Sequence, residues 1–456
     1  MKKYLATYLA VFSLMCSGLA SCSDNDDDVT VETGPYAVIS SFGLGNIRSA
    51  YPGFTSDGRD TTFVRTVTME DFLFTINQVT GEIYNNDSLP FATNVTKVVT
   101  YLSAQGVPTL YIDSIGEYVP YSSSDSVDFT MPRKFRVCST DLKSYKDYTI
   151  TVNVHQLNPD KMVWNEWDAV DGVEPVRAIE FDARMCLFGT KNGAPVVAST
   201  AIDGTPSWSI ADLSGLPATV DLTTVQTFKG MLYVLSDGDL YSSSDAVAWS
   251  PVLKDNGLLS IVVASEDAGE LVVAGEYDFY SSADGTAFEA DGTVPSGFPL
   301  RGVSIMSYPL NHNENIVRYM AIGYDTSAAD ARTRVWSRLS NETEWVDYEN
   351  AGSKFACPVL DGLSVVRYDN FLYALGGAGL VNGVEVGAFN SFYISKDNGI
   401  TWKEPNDFYL RLPEELAGNN SPFAVAVDSN NFMWIITSGT GGAVRKCIIN
   451  RLGFKK

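Results

Sequence analysis

The chain has 456 residues, is 45% hydrophobic and 12% aromatic, and carries a formal net charge of −23. That length asks for two or more domains or one large repeat array, and the acidic balance excludes a typical nucleic-acid binder, which grips phosphates with Lys and Arg. Two histidines, His155 and His312, exclude a three-histidine zinc site and most histidine-based triads.

The amino terminus reads as an export signal. Met1-Lys2-Lys3 precedes an apolar run from Tyr4 to Met15, as in a secretory signal peptide. The run is too short for a membrane-spanning helix, which needs about 20 residues. The segment Leu19-Ala20-Ser21-Cys22 resembles the bacterial lipobox. The resemblance implies cleavage after residue 21 and acylation of Cys22, an anchor strengthened by about 0.8 kcal/mol per buried methylene. Loss of residues 1–21 removes Lys2 and Lys3, so −23 becomes −25. Residues 22–33 read as an acidic tether, since Ser23-Asp24-Asn25-Asp26-Asp27-Asp28 repels itself and stays extended. The acidic run resembles the surface-export signal of Bacteroidota lipoproteins. The expected location is the outer membrane, lipid-anchored and exposed at the cell surface. The remaining cysteines, Cys138, Cys186, Cys357 and Cys447, are too dispersed for a disulfide scaffold and read as small buried hydrophobes.

Residues 34–157 read as a small Ig-like β-sandwich. Short strands are expected at Tyr36–Phe42, Phe63–Val67, Asp71–Ile76, Val95–Leu102, Thr109–Ile112, Val127–Phe129 and Lys134–Ser139. In the last strand, Lys146–His155, the side chains of Tyr148, Ile150, Val152 and Val154 fall on one face. Period-2 alternation with frequent turns is the sandwich pattern. The triplets at Asp60, Asp87, Asp113 and Asp125 resemble a Bacteroidota O-glycosylation sequon; plain turn residues are the alternative reading.

Residues 160–456 carry a repeat. Leu232–Leu235, a turn at Asp237-Gly238, Tyr241–Asp245 and Trp249 form one copy; Leu271–Gly275, Tyr280–Gly285 and Phe288 form the next. A third copy comprises Phe371–Gly377, Phe392–Gly399 and Trp402. Degenerate copies surround Met185–Gly189 with Trp208, Val317–Gly323 with Trp345, and Phe432–Ile436 with Phe454. The aromatic marks stand 41, 39, 57, 57 and 52 residues apart, which fits four-stranded blades. The expected fold is all-β, ending in a six-bladed β-propeller. The last copy is one strand short, so Met162–Trp167 is predicted to supply the outer strand of blade six, with the domain junction near Asn158-Pro159.

Ser395-Lys396-Asp397-Asn398-Gly399-Ile400-Thr401-Trp402 resembles the Asp-box of sialidases and similar propellers. Ser395, Asp397, Gly399 and Trp402, with Asp245, Trp249, Asp284 and Phe288 in shorter copies, are expected to be structural. The Asp accepts turn amides, the Gly takes positive φ and the aromatic packs between sheets. Gly376-Gly377 after an apolar strand resembles kelch blades. Taken whole, the layout resembles two-part Bacteroidota surface lipoproteins of unknown function, which brings a fold and a location but no chemistry.

The functional expectation is a non-catalytic module binding a glycan or a surface protein at the propeller's top face. Loops between second and third strands supply the candidate ligand-binding residues Lys191, Asp237, Glu276, Tyr277, Tyr324, Asp325 and Glu385, with Asn192 and Asn382 beside them. Tyrosine with carboxylates suits sugar stacking and hydroxyl bonding. The alternatives are a sialidase-like glycoside hydrolase and a structural or adhesion subunit. Hydrolysis uses two placed carboxylates, and no spacing marks a pair. No Arg-Ile-Pro segment leads an arginine triad; Arg177, Arg301 and Arg367 stand near predicted blade starts without an assignable role. No cofactor, metal ion or nucleic acid is expected, and membrane contact runs through the lipid anchor only.

Overall fold

The structure, a computed structural model, describes residues 34–55, 59–324, 332–348, 354–405 and 409–453. The chain is all-β, and among the described residues the only helices are single 3₁₀ turns. No helix among them is long and apolar enough to cross a membrane. The chain divides into two compact units. Among the described residues, 34–48 with 66–154 form the first, and 49–65 with 155–453 form the second.

The first unit is a two-layer sandwich. A six-stranded sheet runs Phe74–Asn77, Glu82–Asn85, Tyr145–Thr151, Arg133–Cys138, Val107–Ile112, Glu117–Pro120 in spatial order. A three-stranded sheet runs Val38–Leu44, Val98–Gln105, Ser126–Val127. Alternation explains the core between them: Tyr148 and Ile150 from one layer and Ile39 and Phe42 from the other are buried together. The sequence reading misses Ile47–Phe54, which pairs with Asp60–Val67 as a separate two-stranded ribbon. The ribbon pairs with neither sandwich sheet, its ends Ile47 and Val67 are buried in the sandwich core, and residues 49–65 group with the second unit.

In the second unit, four consecutive sheets are four-stranded meanders: residues 174–212, 220–253, 260–293 and 304–347. A fifth, Ser364–Tyr368, Phe371–Leu375, Tyr393–Ser395, keeps its fourth strand as a single bridge from Ile394 to Lys403. The innermost strands touch in a closed cycle: Glu174–Phe181, Val220–Phe228, Ser260–Ser265, Ser304–Leu310, Ser364–Tyr368, Phe423–Val427, and back to the first. The sixth sheet is completed from the opposite end of the unit. Met162–Asp168 pairs antiparallel with Ala443–Ile449, Met162 facing Ile449 and Asp168 facing Ala443, as the sequence predicts. Trp164 donates from its indole to the Arg411 carbonyl at 3.0 Å. The strand covers the edge that Ala443–Ile449 would otherwise expose.

The core is divided among the gaps between sheets. Leu232 and Val234 pack toward the first sheet with Phe188, while Tyr233 and Leu235 pack toward the third with Leu271 and Val273. Both faces of each second strand are therefore buried, and these strands read as unbroken apolar runs rather than alternations. The aromatic marks fill the gaps to the preceding sheet. Trp249 meets Phe188 edge-on at 6.1 Å, Trp345 meets Phe279 at 6.2 Å, and Trp208 meets Trp434 of the last sheet at 6.4 Å. Phe454 lies outside the described residues. At the last-to-first junction a buried Lys446 lies 3.5 Å from Asp428, which accepts the Trp434 indole at 2.8 Å. Lys446 also donates to the Ile202 carbonyl.

Candidate functional site at the channel mouth

Antiparallel pairing gives the propeller two chemically different ends. First strands begin, second strands end and third strands begin at one end, here termed the mouth. Third-to-fourth turns lie at the other. The mouth holds a cavity of about 400 Å³, within the usual range for small-molecule sites. Its walls come chiefly from the segments leading into innermost strands, among them Arg177, Thr223, Ser304, Asp361, Ser364 and Ser421.

Two features of the sequence build this mouth. In the first, fourth and fifth sheets, a glycine stands near the end of the second strand where a leading segment crosses it. A Cβ on Gly189 would lie 2.2 Å from the Glu174 carbonyl oxygen, and one on Gly376 would lie 2.9 Å from the Leu360 Cβ and 3.0 Å from the Asp361 carbonyl oxygen. Gly376 and Gly377 thus let the 360–363 segment carry Asp361 to the cavity, and Gly377 donates its amide to the Asp361 carbonyl at 2.7 Å. The second feature is a register shift between Pro175 and Arg177. Such a bulge re-aims the side chains beside it, and Arg177 lines the cavity.

Arg177 is the unusual group. Its Nε is sealed from solvent without a hydrogen bond. Several other arginines share that feature, but Arg133, Arg318, Arg338 and Arg445 have carboxylate or hydroxyl partners on the same guanidinium. The Arg177 side chain has no hydrogen bond or ion pair among the described residues. Burial pushes its pKa down to about 10, so it is still a cation at neutral pH, with its desolvation uncompensated by a protein partner. The residue is partly buried and lines the cavity.

Tyr324 is the sequence-predicted candidate that lines the cavity. Its hydroxyl accepts the Leu363 amide at 3.2 Å, which leaves its own proton to donate. Burial pushes its pKa up to about 12, so it stays a neutral donor. Asp361 also lines the cavity, and Asp221 lines an adjoining recess, where it accepts the Thr223 amide and hydroxyl.

The other predicted residues sit at the mouth end but not in the cavity. Lys191 donates to the Asp171 carbonyl at 2.9 Å. Asp237, at φ 50°, serves its turn and accepts the Thr219 hydroxyl at 2.6 Å. Glu276 accepts the Tyr277 hydroxyl at 2.8 Å, and Tyr277 is 69% exposed. Glu385 is exposed on an extra three-stranded sheet, Val359–Leu360, Gly379–Val381, Val384–Val386, where a plain loop is expected; Asn382 turns its hairpin at φ 53°. Asp325 and Cys22 lie outside the described residues. The reason is radial: second-to-third connections lie outside the innermost strands, so leading segments line the axis instead. Arg177 was legible only as an arginine near a blade start; the signal that could have found it is Gly189 on the strand beside it, which lets the leading segment cross close by.

The Asp-boxes occupy the opposite end. Asp397 accepts the Thr401 amide at 2.8 Å and its hydroxyl at 2.7 Å, and Ser395 donates to Asp397 at 2.8 Å. The Trp402 indole closes on the Gly399 carbonyl at 3.0 Å. Asp245 accepts the Val247 and Ala248 amides, and Asp284 those of Thr286 and Ala287, all within 3.0 Å. Burial opposes ionisation of Asp397, but the Thr401 and Ser395 donors outweigh it and hold the carboxyl below its usual range. Turn amides lower Asp245 and Asp284 likewise. Gly399 takes φ +91°, and a Cβ there would lie 2.7 Å from Val335 of the neighbouring sheet. Phe288 packs in the gap between the second and third sheets. Among the described residues, no three His, Cys, Asp or Glu side chains cluster as a metal site.

An all-β chain with a β-rich amino-terminal unit and a carboxyl-terminal propeller is the class these observations define. The chain belongs to the DUF6242 family, a family of unknown function: residues 43–152 match its N-terminal domain and residues 158–456 its beta propeller domain. No curated protein matches the chain. Among solved structures it is similar to a DUF4623 family protein from Bacteroides eggerthii, at 13% identity and TM-score 0.32 over 90% of this chain and 97% of that one. Virginiamycin B lyase from Staphylococcus aureus is similar at 10% identity and TM-score 0.38, over 63% of this chain and 99% of that one. The alpha-L-arabinofuranosidase Arb93A from Fusarium graminearum is similar at 10% identity and TM-score 0.36, over 63% and 97%. These likenesses concern the fold alone.

Proposed function

We propose that the chain is a non-catalytic binding module, held at the cell surface through Cys22, that receives a glycan in the mouth cavity. The observation that carries this reading is the cavity itself, which is sized for a small ligand and walled by hydroxyls and amides suited to sugar hydroxyls. Asp361 is the one carboxylate among its lining residues, whereas glycoside hydrolysis uses a placed pair.

A glycan array with the full chain tests it. Selective binding that weakens at least about tenfold, or about 1.4 kcal/mol, when Tyr324→Ala is introduced supports the reading. A flat array rejects glycan capture and shifts the search to a surface protein. The anchor is tested separately: Cys22→Ser should release the chain from the membrane fraction, and retention of that variant would refute lipidation at Cys22.

A further inference from the structure

We infer that the ligand carries an oxyanion and that Arg177 receives it; this rests on the cavity reading above for its location. The guanidinium has its Nε sealed from solvent, lines the cavity and has no partner among the described residues. A planar five-donor fork of this kind matches a carboxylate, sulfate or phosphate in a bidentate pair. Elsewhere in the same propeller, the two buried arginines Arg338 and Arg445 are given acids, and Arg318 is given the hydroxyls of Ser337 and Tyr348. Arg338 has Asp291 at 2.8 Å and Glu270 at 3.4 Å, and Arg445 has Glu166 at 2.8 Å. The departure at Arg177 coincides with a cavity that a partner of sugar size can enter.

The groups around it fit the same ligand. Asn420 and Tyr324 line the cavity with donors that no described acceptor takes up, and they can supplement Arg177 on an anion or hold neighbouring hydroxyls. Asp361 stands on the same wall as an acceptor, able to take a sugar hydroxyl while discriminating against a second negative charge. The body is strongly acidic, so long-range steering does not favour anions. Recognition therefore depends on this local cation, and neutral sugars lack the main anchor.

Calorimetric titration of the full chain separates the possibilities, with four probes: D-glucuronate, D-glucose, inorganic sulfate and inorganic phosphate. The expected result is that glucuronate binds at least tenfold more tightly than glucose. Arg177→Met should erase that preference, and Arg177→Lys, which keeps charge without the fork, should retain part of it. An unchanged melting temperature in both variants shows that folding is intact. Equal binding of glucuronate and glucose, untouched by Arg177→Met, overturns the oxyanion inference and leaves the cavity reading standing. Arg177-dependent binding of sulfate or phosphate without either sugar supports the oxyanion inference and rejects glycan capture. Failure of all four probes at millimolar concentration overturns both.

Discussion

The two ends of the propeller solve opposite problems. At the Asp-box end of the fifth sheet, polar groups find partners within a few residues of their own sequence: Ser395, Asp397, Gly399, Thr401 and Trp402 satisfy one another. At the mouth, the groups come from segments of five different sheets, and the Arg177 guanidinium is left without a partner. Local closure stiffens a turn and aligns an aromatic against the next sheet. Convergence from distant segments makes a concave surface whose last partner has to arrive from outside. The contrast suggests that motif strength in a repeat marks structural work and that weakly marked positions carry recognition.

That contrast can be broken at the Asp-box end first, where the largest effects are expected. Trp402 is 3% exposed and fills the gap to the preceding sheet, so Trp402→Ala should cost about 3–5 kcal/mol, read by denaturant unfolding. Gly399→Ala comes next. Its φ of +91° and the 2.7 Å approach to Val335 predict a loss of about 1–3 kcal/mol. Asp397→Ala should cost about 2 kcal/mol through unmade turn hydrogen bonds. Asp397 also gives a sign to the acid response. Its folded-state pKa lies below the unfolded value, so its contribution is present above about pH 4 and is lost as pH falls through the folded value. Asp397→Asn should therefore flatten the acid limb of the stability profile. All four variants should leave ligand affinity at the mouth unchanged in protein that remains folded; a parallel loss of affinity would collapse the distinction between the two ends.

The same contrast explains what was legible in the sequence. The Asp-box at 395–402 is local, so eight consecutive residues sufficed to read its turn and its aromatic anchor. The closing strand was legible because Met162–Trp167 had an apolar pattern and the last repeat lacked a strand. The candidate loops were placed at the mouth end, since strand order decides which connections face it. Radius was not legible. Whether a connection lines the axis depends on its position across the sheet, and the repeat spacing carries no such information. The ribbon at 47–67 escaped for a related reason: it pairs only with itself, and Pro52-Gly53 interrupts the alternation that would have marked its first strand.

The smallest expected effect on stability is also the most diagnostic. Arg177 is desolvated without a protein partner, so its charge is a net cost to the folded state rather than a contribution to it. Arg177→Met keeps the length and apolar stem of the side chain while removing the charge. It should leave stability unchanged or raise it by about 1 kcal/mol, in line with apolar replacement of buried charge. A core arginine paired like Arg338 responds oppositely: Arg338→Met would strand Asp291 and Glu270 and should destabilise the fold. Measured side by side in denaturant, the two substitutions distinguish a cation kept for the fold from one kept for a ligand. A loss of 2 kcal/mol or more in Arg177→Met, on the order expected for breaking a satisfied network, would mean that the guanidinium holds the mouth together, and the division between a self-satisfied end and a receptive one would fail.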